Sequence, residues 1–230
     1  MNNILKIITG TLLLMLLVAC SGGSSGGDNA NPGTPIVSNT LFPIDPSYTW
    51  YYNSDSTGVY FTDPRNIAGY QSFPLVHPTG AREYFATDAS SVYYLGVFIP
   101  TIIVSGAGTF QADTTLSAPI TFYSDQWAPG HSQSISGTGT ANISPTYGSR
   151  PTSYTGSVLY IGVESVTVGT GTYNAHHVSI NFTASATVSG LTISIPFSTE
   201  LWLAEGFGIV KRNESGTIFD LTSVDNLPAM

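Results

Sequence analysis

Two histidines stand side by side at His176 and His177, and paired imidazoles are the side chains here best suited to hold a metal or move a proton. The chain around them reads as a strand. Val178, Ile180, Phe182, Ala184, Ala186 and Val188 are apolar, and the residues between them are polar. Successive side chains on a strand point to opposite faces, so the two rings are separated rather than converged on one ion. The same parity places His176 on the dry side, part-buried and hydrogen-bonded, and His177 on the wet side. His77 precedes Pro78, and His131 follows Ala128-Pro129-Gly130, so both fall in turns. Asp125 and His131 are the one loop pair with a conceivable metal spacing. Glu164, Glu200 and Glu205 are carboxylates of the kind glycoside hydrolysis uses, but nothing in their spacing selects a pair, and Glu205 fits a turn. No Gly-x-Ser-x-Gly elbow and no Ser-x-x-Lys is present. The expectation is no catalytic residue, no metal and no cofactor.

A second group of side chains suits binding. The chain is 12% aromatic. Trp50, Tyr52, Tyr94, Phe98, Tyr160 and Trp202 are candidates to line an apolar cavity, with ordinary core as their bland alternative. The run from Val97 to Val104 is apolar without alternation, which suits a strand buried on both sides or a flap over a cavity mouth.

Cys20 is the only thiol in 230 residues. It ends a short apolar stretch that follows Lys6, and about 20 apolar residues are needed to span a bilayer. The length suits the apolar core of a secretory signal. The residues Leu17-Val18-Ala19-Cys20 resemble the lipobox of bacterial lipoproteins. That resemblance implies cleavage after residue 19, acylation of Cys20, and attachment to the membrane through it. Ser21 in the following position implies the outer membrane, within the cell envelope. Residues 20–40 are rich in Gly, Ser, Asn and Pro and read as a flexible tether. With a single cysteine, the body must be stable by packing alone.

The body, 41–230, must position everything else. Tyr48–Asn53, Gly58–Thr62, Arg82–Thr87, Val92–Ile99, Ile120–Ser124 and Tyr154–Val168 favour aromatic and β-branched residues. Glu200–Leu203, Phe207–Arg212 and Thr217–Val224 form a closing meander with glycine-bearing turns. The segment from Ser144 to Pro151 reads as a long loop, and the glycine pairs read as turns or bulges. The fold class is all-β: one domain of about a dozen mostly antiparallel strands in a strongly curved sheet or half-barrel. Three pieces carry a further resemblance: Tyr48-Thr49-Trp50-Tyr51-Tyr52, Val166 through Val178, and Trp202 through Lys211. Their order resembles uncharacterised envelope β domains similar to the LolA and LolB lipoprotein carriers, which implies a curved antiparallel sheet and places no catalytic residue.

A formal charge of −8 argues against nucleic acid as a partner. The function expected from the sequence is non-enzymatic binding of an apolar or envelope ligand by a membrane-anchored lipoprotein. A structural surface protein without a cavity is the first alternative. A hydrolase acting on envelope or glycan substrates is the second.

Overall fold

The computed structural model describes residues 39–53, 56–104, 108–188 and 190–226. Cys20 and the signal lie outside the described residues, as does the tether up to residue 38. The body is all-β, as its alternation predicts. Its strands are β1 (Thr49–Tyr52), β2 (Val59–Phe61), β3 (Arg65–Ile67), β4 (Tyr70–Val76), β5 (Arg82–Thr87), β6 (Ser91–Val104), β7 (Gly108–Ser124), β8 (Ser132–Ser144), β9 (Gly148–Val168), β10 (Gly171–Val188), β11 (Leu191–Ala204), β12 (Gly208–Glu214) and β13 (Thr217–Asp225). They pair antiparallel in chain order from β4 to β13, then to β1 and β2, and a β2–β4 pairing closes the ring. Every strand but β3 stands in that ring. The expected curved sheet is thus a closed meander at one end.

Alternation decides which side of the ring is dry. On β10, Val178 and Ile180 are buried and Phe182 is half-buried, while Asn181 and Thr183 are exposed. The outer faces carry hydroxyl ladders such as Ser185–Ser194 at 2.8 Å and Thr167–Thr172 at 2.9 Å. A dry interior under a mostly polar exterior is the inverse of the membrane-spanning barrel pattern. The interior of the closed part is packed solid with Trp50, Phe61, Phe85, Tyr94, Phe122 and Tyr160 among others.

Strand lengths are unequal, and this shapes the molecule. β6 to β11 run from 13 to 21 residues, whereas the other ring strands have 9 or fewer. The pairing of β12 on β11 begins at Thr199, and the pairing of β5 on β6 ends at Phe98. Beyond those points the six long strands continue together as an open trough. The β6 segment from Ile99 and the β11 segment up to Ser198 are its two edges. Pro100 and Pro196 sit on these edges, where proline blunts a strand against further pairing.

Three local expectations change. Ser144–Pro151 is not a long loop: β8 ends at Ser144 and β9 begins at Gly148. The run Val97–Val104 is neither doubly buried nor a flap. Val97 packs on the interior core, Phe98 joins an outer cluster with Tyr84 and Leu95, and Ile103 is 79% exposed on the trough edge. The outer cluster exists because β3, paired only to β4, stands off the ring and lays Ile67 over Tyr84, Ala86 and Leu95 of β5 and β6. Arg65 holds it there, bonding Tyr84 at 3.1 Å and Asp113 at 2.9 Å. At the other boundary, Asn39 and Thr40 belong to the body rather than to the tether. The Asn39 amide donates to the carbonyls of Asp88 and Ser91, and the Gly206 amide donates to the Thr40 carbonyl.

Candidate functional site

The trough encloses a cavity of about 300 Å³. Its wall is built strand by strand from inward positions: Ile102 of β6; Phe110, Ala112 and Thr114 of β7; Ala141 and Ile143 of β8; Thr152 of β9; Ala184, Ala186 and Val188 of β10; Ile193 and Ile195 of β11. Ser185 and Tyr147 complete it. Register explains why these residues meet. One inward row runs Leu116–Gly139–Thr152–Ala186–Ile193 across five neighbouring strands. Gly139, Thr152 and Ala186 in the middle of this row are small, so the curved wall leaves space that its larger ends do not fill. Tyr147 packs on Phe110 with ring centroids 5.1 Å apart at the outer end.

Aromatic rings separate the trough from the solid core. Phe182 and Phe197 face each other across β10 and β11, stacked at 4.7 Å, one inward position below Ala184 and Ile195. Tyr94 lies 6.1 Å from Phe182 and 6.2 Å from Phe197, and Tyr154 lies 6.5 Å from Phe182. Gly137 makes room for this plate: a Cβ there would stand 2.5 Å from the Tyr154 hydroxyl oxygen, and the ring would have to shift.

The six aromatic candidates do not converge, and none lines the trough. Trp50 donates its indole N–H to the Phe207 carbonyl at 2.6 Å, and Tyr52 donates to the Ile209 carbonyl at 2.7 Å. Both border only a gap of about 10 Å³. Tyr94 is core, behind Phe182 and Phe197, with a buried hydroxyl that has no hydrogen-bond partner. Burial is the main reason that phenol is held well above its ordinary pKa. Phe98 is on the outer surface beneath the Arg82 guanidinium. Tyr160 is core, its hydroxyl 2.9 Å from His176 Nδ1. Trp202 lies on the outer face of β11, where its ring stacks on His177 at 4.2 Å and its indole N–H donates to Glu164.

The histidine pair divides as the strand geometry requires, with one correction. His176 is half-buried and stacked on Tyr160. Burial lowers its pKa below the usual imidazole value, partly offset by Glu205. His177 was expected to be exposed, yet it is only 8% exposed. Trp202 covers it, and the carboxylates of Glu164 and Glu200 stand 3.3 Å and 3.8 Å from its nitrogens. Cross-strand register brings these acids together; sequence spacing does not reveal it. Glu205 is an exposed turn residue. His131 stacks on Trp127 at 4.6 Å. Among the described residues, no group of three His, Cys, Asp or Glu side chains stands together as a metal ligand set.

One charged network lies inside the ring. Arg212 of β12 reaches across the interior to Glu83 of β5 at 2.7 Å, and also pairs with Glu214. His77 Nε2 meets the same Glu83 oxygen at 2.9 Å. Burial alone would raise the Glu83 carboxyl, but Arg212 and His77 outweigh it and hold the carboxyl well below its ordinary range. Arg212 is held cationic in turn, the nearby acids overcoming the cost of burial.

Sequence reasoning missed the trough because it looked for large rings, and cavities are made by small residues. A signal was present. Along the inner face of β10 the series Val178, Ile180, Phe182 gives way to Ala184 and Ala186, while the period of two continues. The alternation says that the face stays inward; the shrinkage says that it stops filling. No family model, no curated protein and no solved structure matches this chain.

Proposed function

We propose that this chain is a lipid-anchored protein of the bacterial envelope that carries a single apolar chain in its trough, without catalysis. The observation that supports the reading best is the cavity of about 300 Å³ with a largely apolar wall. That volume equals roughly ten waters at their share of liquid, and it lies at the low end of the range for small-molecule sites. Water gains little from such a wall, whereas an alkyl chain gains about 0.8 kcal/mol for each methylene buried. The solid interior expected of a purely structural protein is confined to the closed half of the ring. The lipobox resemblance at Cys20 supports the anchor, and Cys20→Ala is expected to release the protein from the membrane fraction.

The test is a chain-length series of alkyl ligands, from six to eighteen carbons, titrated calorimetrically. Affinity is expected to rise about fourfold per carbon, the equivalent of one buried methylene, and then to level off once the trough is full. Affinity independent of chain length, or no binding at any length, overturns the reading.

A further inference from the structure

Among the described residues, strand parity sets one charged residue, Arg150, at an inward position of the trough's strands. On β9, even-numbered positions turn inward: Thr152 and Tyr154 are buried, while Pro151, Ser153 and Thr155 are exposed. Arg150 continues that face one step nearer the open end. It pairs in register with Ala141, which lines the cavity, and Ala141 pairs with Thr114, which also does. Arg150 thus completes an inward row of the same wall.

Its surroundings are unlike those of the other described cations. Arg65 meets Asp113, Arg82 lies over Phe98, Lys211 lies over Trp202 and 3.8 Å from Asp220, and Arg212 is held by Glu83 and Glu214. Arg150 is the one Lys or Arg among the described residues without an ion pair or a ring contact. Its Nε is buried and has no hydrogen-bond partner. The sequence has 14 acidic residues against 6 basic ones, so counterions are plentiful. A guanidinium with a buried donor and no acceptor, beside an apolar cavity, is half of an interaction. Its fork of donors matches a planar carboxylate.

We propose that Arg150 holds the charged head of the occupant, and that the trough therefore selects single-chain amphiphiles ending in a carboxylate. The chain would lie along the rows of Thr152, Ala186 and Ile193, with the head at the open end. The proposal rests on the acyl-chain reading and adds a head group to it.

The experiment separates the two. The exported chain carrying Cys20→Ser, so that no attached acyl group competes, is titrated with dodecanoate and with dodecanol. In this background the acid is expected to bind at least tenfold more tightly than the alcohol, because a charge-assisted bond replaces an unmet donor. Arg150→Gln is expected to abolish that preference while leaving dodecanol affinity within twofold, which also shows that the variant is folded. Arg150→Lys is expected to keep part of the preference. Equal binding of acid and alcohol, or a preference that survives Arg150→Gln, overturns the role of Arg150 and leaves the acyl-chain reading standing. Failure of both ligands to bind overturns both.

Discussion

Single residues set the boundary between a filled interior and an empty one. Phe182 and Phe197 are the last large inward pair before the wall shrinks to alanine. Phe182→Ala removes a half-buried ring, so its cost is expected near the lower end for such truncations, about 3 kcal/mol by urea unfolding. The same change should deepen the trough. In the chain-length series, the plateau is expected to move to longer ligands by two or more carbons; an unmoved plateau would mean that Phe182 is not its floor. The histidines make the complementary case. His177 is buried under Trp202 with Glu164 and Glu200 beside it, whereas His176 is only half-buried against Tyr160 and Tyr123. His177→Gln is therefore expected to destabilise by about 1 kcal/mol, the scale of an aromatic stack, and His176→Gln by less. The reverse order in thermal unfolding would contradict the packing described. His177 is buried although strand parity puts it on the outer face, and the reason is physical. Parity assigns a face correctly, but an outer face can still be covered by a neighbour's indole.

Strands turn these residues into a container, and their pairing shows what the sequence reveals. Alternation made β10 legible over its whole second half, and Arg82–Thr87 matches β5 to the residue. β8 stayed hidden because Ser132–Ser144 carries Gly137 and Gly139, which weaken a strand signal. Those glycines are there for contact: a Cβ on Gly139 would fall 2.4 Å from the Thr115 carbonyl oxygen. The Glu83–Arg212 bridge was equally hidden, since its partners are 129 residues apart. It ties β5 to β12 across the interior at the level where the ring opens into the trough. Glu83 has a lower pKa folded than unfolded, so the stability it lends is present above its unfolded value, near 4.5. That stability is lost as pH falls from there through the folded value. Glu83→Gln leaves Arg212 without its interior partner and is expected to cost roughly 3 kcal/mol at neutral pH. The variant should also lose part of the acid-induced decline in stability below pH 4.5. Urea midpoints measured from pH 3 to pH 7 for both proteins would show whether the two curves converge at low pH.

At the scale of the whole molecule, the shape follows from a ring that closes at one end only. Closure depends on β1 meeting β13, with Trp50 opposite Val224, a pairing between the two ends of the body that no local pattern announces. The open end leaves two strand edges beside an apolar cavity, an arrangement that invites another strand to join. Proline answers this on both sides. Pro196 pairs with Thr183 on β10, and having no N–H it offers no donor to an incoming strand. Pro100 interrupts the other edge, where the register of β6 on β7 skips from Ile99 to Ile102. The excess of acidic residues adds a weaker, long-range repulsion between copies, screened beyond about 10 Å at 0.1 M salt. Replacing Pro196 and Pro100 together by valine restores two edge donors and raises β-propensity without touching the closed ring. The double variant is expected to self-associate at concentrations where the parent protein does not, as read by sedimentation velocity. Its thermal unfolding when dilute should match the parent's. If the sedimentation profiles of the two proteins coincide at 0.5 M salt, where charge repulsion is largely screened, the prolines are not what keeps these edges apart.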